Sequence, residues 1–440
     1  MTAPLTQARK DDLPKTSYAT ESFWLVALVI VVGNLAGTLG AADQLCKIPL
    51  QNILKHSLHL AREDTARFFF LSGLFFYLKP LAGILTDAFP LLGTRRRFYV
   101  LFSSVLAGVA WLALGLVHQT YSALLMGVIA VDLFVVMIST VCGAFLVEVG
   151  QSRGEVGKLT AVRQFARAIC FTIQGPLGGL LAGTFFWVAT GTGALITLSI
   201  LPIAYFFLKE KPIPRNPAVL QNAGKQIGTI VRSWPFWMAT LFIALFKFAP
   251  GLGTMAYYRQ NDVLHMTQAT IGLLGAVGNV MGLLAALLYY RFARRISIRT
   301  ALVIGVVAYA VSSLLYVFYN SQPLAFEIDG QNGLFQFYVE VAIIDLAARA
   351  TPAGCEGLAY SFMMSVMNLS GQGSDWLGSH LADAYHLSWN TMVFLNGGTT
   401  LIVLFLIPFM PRALLASRDN ATPNLENTGE PQEVQGSATP

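Results

Sequence analysis

The chain has 440 residues, of which 55% are hydrophobic and only 12% charged, and its mean hydropathy is +0.59; soluble domains carry about a quarter charged residues. Uncharged apolar runs such as Leu25 to Gly40 recur along its length. A soluble globular domain is thereby excluded in favour of a polytopic α-helical membrane protein, since roughly 20 such residues let a helix cross a bilayer. The formal charge of +6 is concentrated in alternate loops, so it reports topology and calls for no nucleic-acid partner.

In chain order, residues 1–21 mix Arg9, Lys10 and Lys15 with Asp11 and Asp12 and have no apolar stretch. They read as a short cytoplasmic tail and not as a signal or transit peptide. Twelve apolar segments follow and are taken below as spans 1 to 12: 22–44, 66–86, 98–117, 121–147, 159–186, 188–208, 235–258, 269–290, 299–319, 334–350, 354–382 and 389–411. Residues 209–234 form the longest internal polar stretch. They are expected to be a cytoplasmic central loop between an N-terminal half, 22–208, and a C-terminal half, 235–411. The tail 412–440 is rich in Asn, Pro, Glu, Gly and Thr and is expected to be disordered. Cys46, Cys142, Cys170 and Cys355 lie in or beside apolar segments without metal-ligand spacing and read as small core residues.

One set of loops holds Arg95, Arg96 and Arg97; Arg153 and Lys158; Lys209, Lys211, Arg215, Lys225 and Arg232; Arg291, Arg294 and Arg295; and Arg412 with Arg418. In the opposite set, the first loop has Lys47, Lys55, Arg62 and Arg67 offset by Glu63 and Asp64, and the others carry Arg259 among Asp262, Glu327 and Asp329. The positive-inside rule makes the arginine-rich set cytoplasmic, along with both termini. The expected location is the cytoplasmic membrane of a bacterium.

Charged and polar residues inside spans are costly and need a partner, water or a purpose. In span 11, Ser361, Ser365, Asn368, Gln372, Asp375 and Ser379 recur at steps of three and four. They make a stripe roughly 80° wide that faces other helices or an aqueous path. Interhelical hydrogen bonding and solute contact both remain open for it. Span 5 carries Arg163, Arg167, Cys170 and Gln174 on one face. Arg163 is near enough to the helix end to snorkel. Arg167 lies deeper and is a candidate anion-binding residue, because a guanidinium fork suits a carboxylate. Span 7 aligns Lys247, Gly251, Thr254 and Tyr258 across Pro250, a place for a break at a site or gate. Asp132 in span 4 and Glu340 in span 10 are the deepest carboxylates of their helices and candidate proton carriers, while Asp345 and Arg349 suit a structural pair four residues apart. Glu356 opens span 11, where it can cap the helix or couple to movement. The chain has no phosphate-binding loop, HExxH motif or clustered His and Cys set.

Two motifs carry a resemblance. "KPLAGILTDAFPLLGTRRRFY" supplies Lys79, Pro80, Leu81, Gly83, Asp87, Phe89, Pro90, Gly93, Arg95, Arg96, Arg97 and Tyr99, and "ARATPAGCEGLAYSFMMSVMNLS" supplies Pro352, Gly354, Glu356, Asn368 and Leu369. With twelve spans and a basic central loop, these resemble the folate–biopterin transporter family of the major facilitator superfamily. The chain departs at Ser139 and Gly143, where that family has two acids ahead of the pair matched by Val147 and Glu148. The resemblance implies an all-α membrane protein with twelve transmembrane helices in two six-helix halves. It further implies a secondary active transporter, not an enzyme, moving a folate or pterin with proton coupling. Arg167, Gln174, Lys247, Ser365, Asn368 and Gln372 are then the expected solute contacts, and Asp132, Glu340 and Glu356 the expected proton-coupling residues. Lys79, Gly83, Asp87, Gly93 and Arg95 to Arg97 become a gating motif. A muropeptide or other amphiphile permease, or a membrane protein that assembles pigment complexes, stays open as the alternative.

Overall fold

The computed structural model describes residues 22–153, 155–208, 210, 218–292 and 296–415. Among them all twelve expected segments are helical, and the one strand-like feature is a bridge between Leu91 and Thr94. Seven helices are long and apolar enough to cross a membrane: Arg97–Leu116, Tyr121–Arg153, Gly157–Ala182, Phe186–Phe207, Gln268–Tyr289, Ile298–Phe318 and Trp389–Phe409. They are spans 3, 4, 5, 6, 8, 9 and 12.

The other five are broken or carry polar groups. Span 1 runs as Phe23–Asn34, a wide turn at Leu35–Leu39, then the short helices Ala42–Leu45 and Lys47–Asn52. A break inside a membrane frees backbone groups that only protein can satisfy. Here the Trp111 indole N–H donates to the Gly40 carbonyl at 3.1 Å, and the Ala42 N–H donates to the Asp132 carboxylate at 2.9 Å. Span 2 is split into Arg62–Ser72, Leu74–Tyr77 and Lys79–Ala88. Span 7 is Trp234–Lys247 and Gly253–Asp262, interrupted around Pro250, which has no N–H to continue the helix. Neighbouring spans cover that break. The Gly251 N–H donates to the Ser374 carbonyl at 2.8 Å, and the Asn396 amide donates to the Pro250 carbonyl at 2.9 Å. Spans 10 and 11 are the uninterrupted helices Gln322–Ala350 and Glu356–Ala384.

Two expectations need correction. The stretch 209–234 is not simply a loop, because Ala218–Arg232 is helical and bends by 77° into span 7. Its apolar residues Ile227, Ile230 and Val231 fall at helical spacing among polar neighbours, the pattern of a helix lying along an interface. The polar stretch before residue 334 is also helix. Pro323 in the first turn suits a helix start, so Glu327 and Asp329 sit within span 10. Asp329 is there taken up by the Tyr316 and Tyr319 hydroxyls, which donate to it at 2.5 and 2.8 Å. The tails 1–21 and 416–440, with Lys209, Lys211, Arg215, Arg294 and Arg295, lie outside the described residues.

Packing follows the two halves. One apolar core draws on residues between Val26 and Leu208, around Leu50, Phe68, Trp111 and Ile138; a second draws on residues between Ile230 and Leu414, around Phe236, Phe242 and Leu346. Trp187, Leu195, Phe206 and Phe405 face outward at 60% exposure or more, as a lipid-facing surface requires. The halves touch through spans 5 and 8. A Cβ on Gly175 would fall 2.4 Å from the Gly272 carbonyl oxygen, so glycine is what lets these backbones meet.

Candidate functional site

The arginine motif is a turn held by charge at one end of the bundle. Gly93, at φ 80°, adopts a left-handed conformation that glycine tolerates, and Leu91 and Thr94 pair across it. The backbone N–H groups of Arg95, Arg96 and Arg97 donate to the Glu210 carboxylate at 3.0, 2.9 and 3.3 Å. The buried Arg96 side chain reaches Asp87 at 2.7 Å and Glu148 at 3.5 Å. Gly83 faces span 4, where its Cβ would stand 3.8 Å from Thr140. These ties stay within the first half and Glu210 just beyond it. Lys79, about 12 Å before Asp87 along the chain, is separate from the turn and donates to the Ser139 hydroxyl at 2.9 Å.

Deeper in the bundle the span 5 residues separate by depth. Arg167 is exposed and its guanidinium lies over the Phe171 ring, 5.0 Å from the centroid. Arg163 is half-buried, with its guanidinium near Gly143. Both are within electrostatic reach of Lys79 and of Tyr360, which comes from span 11 of the other half. Gln174 has a buried amide oxygen with no hydrogen-bond partner.

The span 11 stripe divides between packing and open positions. Ser365 is buried and donates to the Phe76 carbonyl at 3.3 Å, tying the halves together. Asn368 is exposed and Gln372 half-buried. Asp375 holds the second segment of span 7, accepting from the Thr254 N–H at 2.8 Å and the Thr254 hydroxyl at 2.6 Å. Lys247 and Glu340 pair with each other across spans 7 and 10. Arg349 and Asp345 form their pair at 3.3 Å, and Tyr289 donates to Asp345 at 3.1 Å. Glu356 is exposed and accepts from the Gly354 N–H at 2.9 Å in its own turn.

Asp132 has no exposed surface. One of its oxygens accepts from the Ala42 N–H, and the other has no partner. Asp43, also buried and with one unpartnered oxygen, lies within its electrostatic reach. In the sequence Asp43 falls near the end of an apolar run and does not stand out there. The visible signal was an acid inside a segment otherwise long enough to be a span.

At the end opposite the arginine motif the halves are clasped. Lys55 pairs with Asp262, Arg62 with Asp383 at 2.5 Å, and Glu63 with His380 at 2.9 Å. The Tyr258 hydroxyl donates to the Leu60 carbonyl at 2.6 Å. Among the described residues every ion pair that crosses between the halves lies here, so charge ties the halves together at this end. None of these partners could be matched from sequence, because each pair joins segments about 200 to 320 residues apart.

Solved structures share this fold. A D-xylose–proton symporter aligns with a TM-score of 0.67 at 14% identity, covering 88% of this chain and 98% of that one. A peptide transporter POT in complex with sulfate aligns at 0.67 and 12%, covering 94% and 100%. The likeness shows the major facilitator fold. A folate-biopterin transporter of Synechocystis sp. is 25% identical over 416 residues, 88% of this chain and 81% of the relative. Folate transporter 1 of Plasmodium falciparum is 21% identical over 400 residues, 87% and 77%. The sequence model of the BT1 family matches residues 39–319 and 335–424, and with the fold, the motif turn and these relatives in agreement, the chain belongs to the BT1 family.

Proposed function

We propose that the chain is a secondary active transporter that carries a folate- or pterin-like anionic solute by alternating access of the halves 22–208 and 235–411, coupled to protons. The observation that carries this reading is the exposed Arg167, within electrostatic reach of Tyr360 of the other half, in a chain whose relatives are described as folate or folate–biopterin transporters. Arg167 takes the anionic group. Gln174 offers an acceptor short of a donor, which suits the amino and ring N–H groups of a pterin. Asn368 and Gln372 on span 11 and Lys247 on span 7 line the path from the second half, and Ser365 sets the approach of spans 2 and 11.

Proton coupling rests on Asp132 and Glu340. Asp132 and Asp43 each keep one oxygen without a donor, so a proton taken up on either carboxyl satisfies one of them. Glu340 holds Lys247 when ionised, and protonation would release that lysine to the solute. Glu356, exposed and bound to its own turn, has no such leverage.

The arginine-rich end is cytoplasmic by the positive-inside rule, with both termini on that side and the chain in the cytoplasmic membrane. The clasp at the opposite end then corresponds to a state from which solute exchanges with the cytoplasm. Reversal requires parting Lys55–Asp262, Arg62–Asp383 and Glu63–His380. The test is uptake of labelled folate and reduced pterins into cells lacking their own route, with and without an uncoupler. Uptake that depends on the gradient and falls at least tenfold in Arg167→Ala supports the reading. Protein present in the membrane that takes up neither solute overturns it.

A further inference from the structure

Three cations gather on one side of the N-terminal half with no acid paired to them. Lys79 donates to the Ser139 hydroxyl at 2.9 Å. The Arg163 guanidinium lies so that a Cβ on Gly143 would stand 3.5 Å from its Nη1. Arg167, one turn on, lies over Phe171. Both arginines act electrostatically on Lys79, and Tyr360 of the C-terminal half is within reach of both. No ion pair among the described residues includes any of the three.

Like charges this near repel one another, and low-dielectric surroundings screen that repulsion weakly. The facing wall contributes a hydroxyl at Ser139 and a bare Cα at Gly143, so it brings no countercharge and leaves room for carboxylate oxygens. Guanidinium groups take a carboxylate through parallel N–H donors, and an ammonium takes one as a point charge. One carboxylate would leave much of the charge of three basic groups on two helices unmatched, whereas two carboxylates on one short linker come closer to matching it. We propose that Lys79, Arg163 and Arg167 form a receptor for a solute segment bearing two carboxylates, a glutamate-like dianion, and that this receptor selects carboxylate-bearing pterins over neutral ones. The pterin half of that statement rests on the transport reading above; dianion binding does not.

The experiment titrates purified full-length protein in detergent with N-(para-aminobenzoyl)glutamate, its γ-monoester and para-aminobenzamide, read by calorimetry and by the shift in melting temperature. The dianion binds, the monoester binds about tenfold or more weakly, and the amide does not bind. Gly143→Glu and Ser139→Asp each place an internal carboxylate against the cations and abolish dianion binding, while Arg163→Gln weakens it about tenfold. Gly371→Ala, whose Cβ meets nothing within 4 Å, binds as the unaltered chain does. If Gly143→Glu does not fold, Ser139→Asp and Arg163→Gln make the same discrimination. Equal affinity for dianion and monoester, no binding by the unaltered chain, or full affinity in the charge-adding variants overturns the receptor. Dianion binding with the expected variant pattern but no folate uptake leaves the receptor standing and overturns the transport reading instead.

Discussion

Asp132 illustrates what a single side chain does in this bundle. Its carboxylate holds the N–H freed by the break in span 1 and keeps a second oxygen without a donor beside Asp43. An asparagine at 132 would still accept from Ala42 and preserve the break, but it could not take up a proton. Asp132→Asn is therefore expected to retain solute exchange within about twofold while losing gradient-driven accumulation about tenfold or more. Accumulation that survives in the variant at unaltered pH dependence would remove Asp132 from the coupling. At this scale the sequence was informative about which residues matter and silent about their partners. Arg167, Lys247 and Glu340 stood out as charges in apolar segments, and a charge in lipid always needs an account. That Lys247 and Glu340 answer each other, or that Lys79 leaves the arginine motif for Ser139, depends on contacts between distant segments.

The broken helices belong to the scale of elements. Span 7 parts at Pro250, and span 11 closes over the gap so tightly that a Cβ on Gly378 would come within 2.1 Å of the Gly251 carbonyl oxygen. Gly378→Ala should therefore force the two helices apart and cost about 1–3 kcal/mol, read as a lower melting temperature in detergent, with Gly371→Ala as an unaffected neighbour. Equal stability of the two variants would show that the break is more loosely packed than described. Removing a hydrogen bond has a smaller effect. Thr254→Val strips Asp375 of one donor and should cost about 1 kcal/mol. Pro250 and the apolar runs made this break and the helix positions legible. The helix at Ala218–Arg232 was not, since Pro212, Pro214 and Pro217 mask a polar helix that starts just after them. Span 10 outruns its apolar run for a similar reason: Glu327 and Asp329 look like loop residues in the sequence, and the Tyr316 and Tyr319 hydroxyls that satisfy Asp329 come from another segment.

Across the whole molecule, the polar clasp at one end is what alternating access has to undo. Arg62 and Asp383 meet at 2.5 Å with 34% and 21% of their side chains exposed, so the pair is partly screened and worth about 1 kcal/mol or less to stability. Its reversal should shift the balance between states more than the fold. Arg62→Asp alone is expected to raise the reactivity of a cysteine introduced at Thr65 toward an impermeant thiol reagent from the clasped side, and adding Asp383→Arg should restore protection. Reactivity that ignores both substitutions would exclude this pair from the clasp. The central claim, that the bundle moves a folate- or pterin-like anion by alternating access, is tested most directly by counterflow in proteoliposomes. Vesicles loaded with unlabelled folate and diluted into labelled folate should draw in label transiently, faster with the unaltered chain than with Arg167→Ala and not at all in protein-free vesicles. Label entry at the protein-free rate, for folate and for reduced pterins alike, would contradict the account.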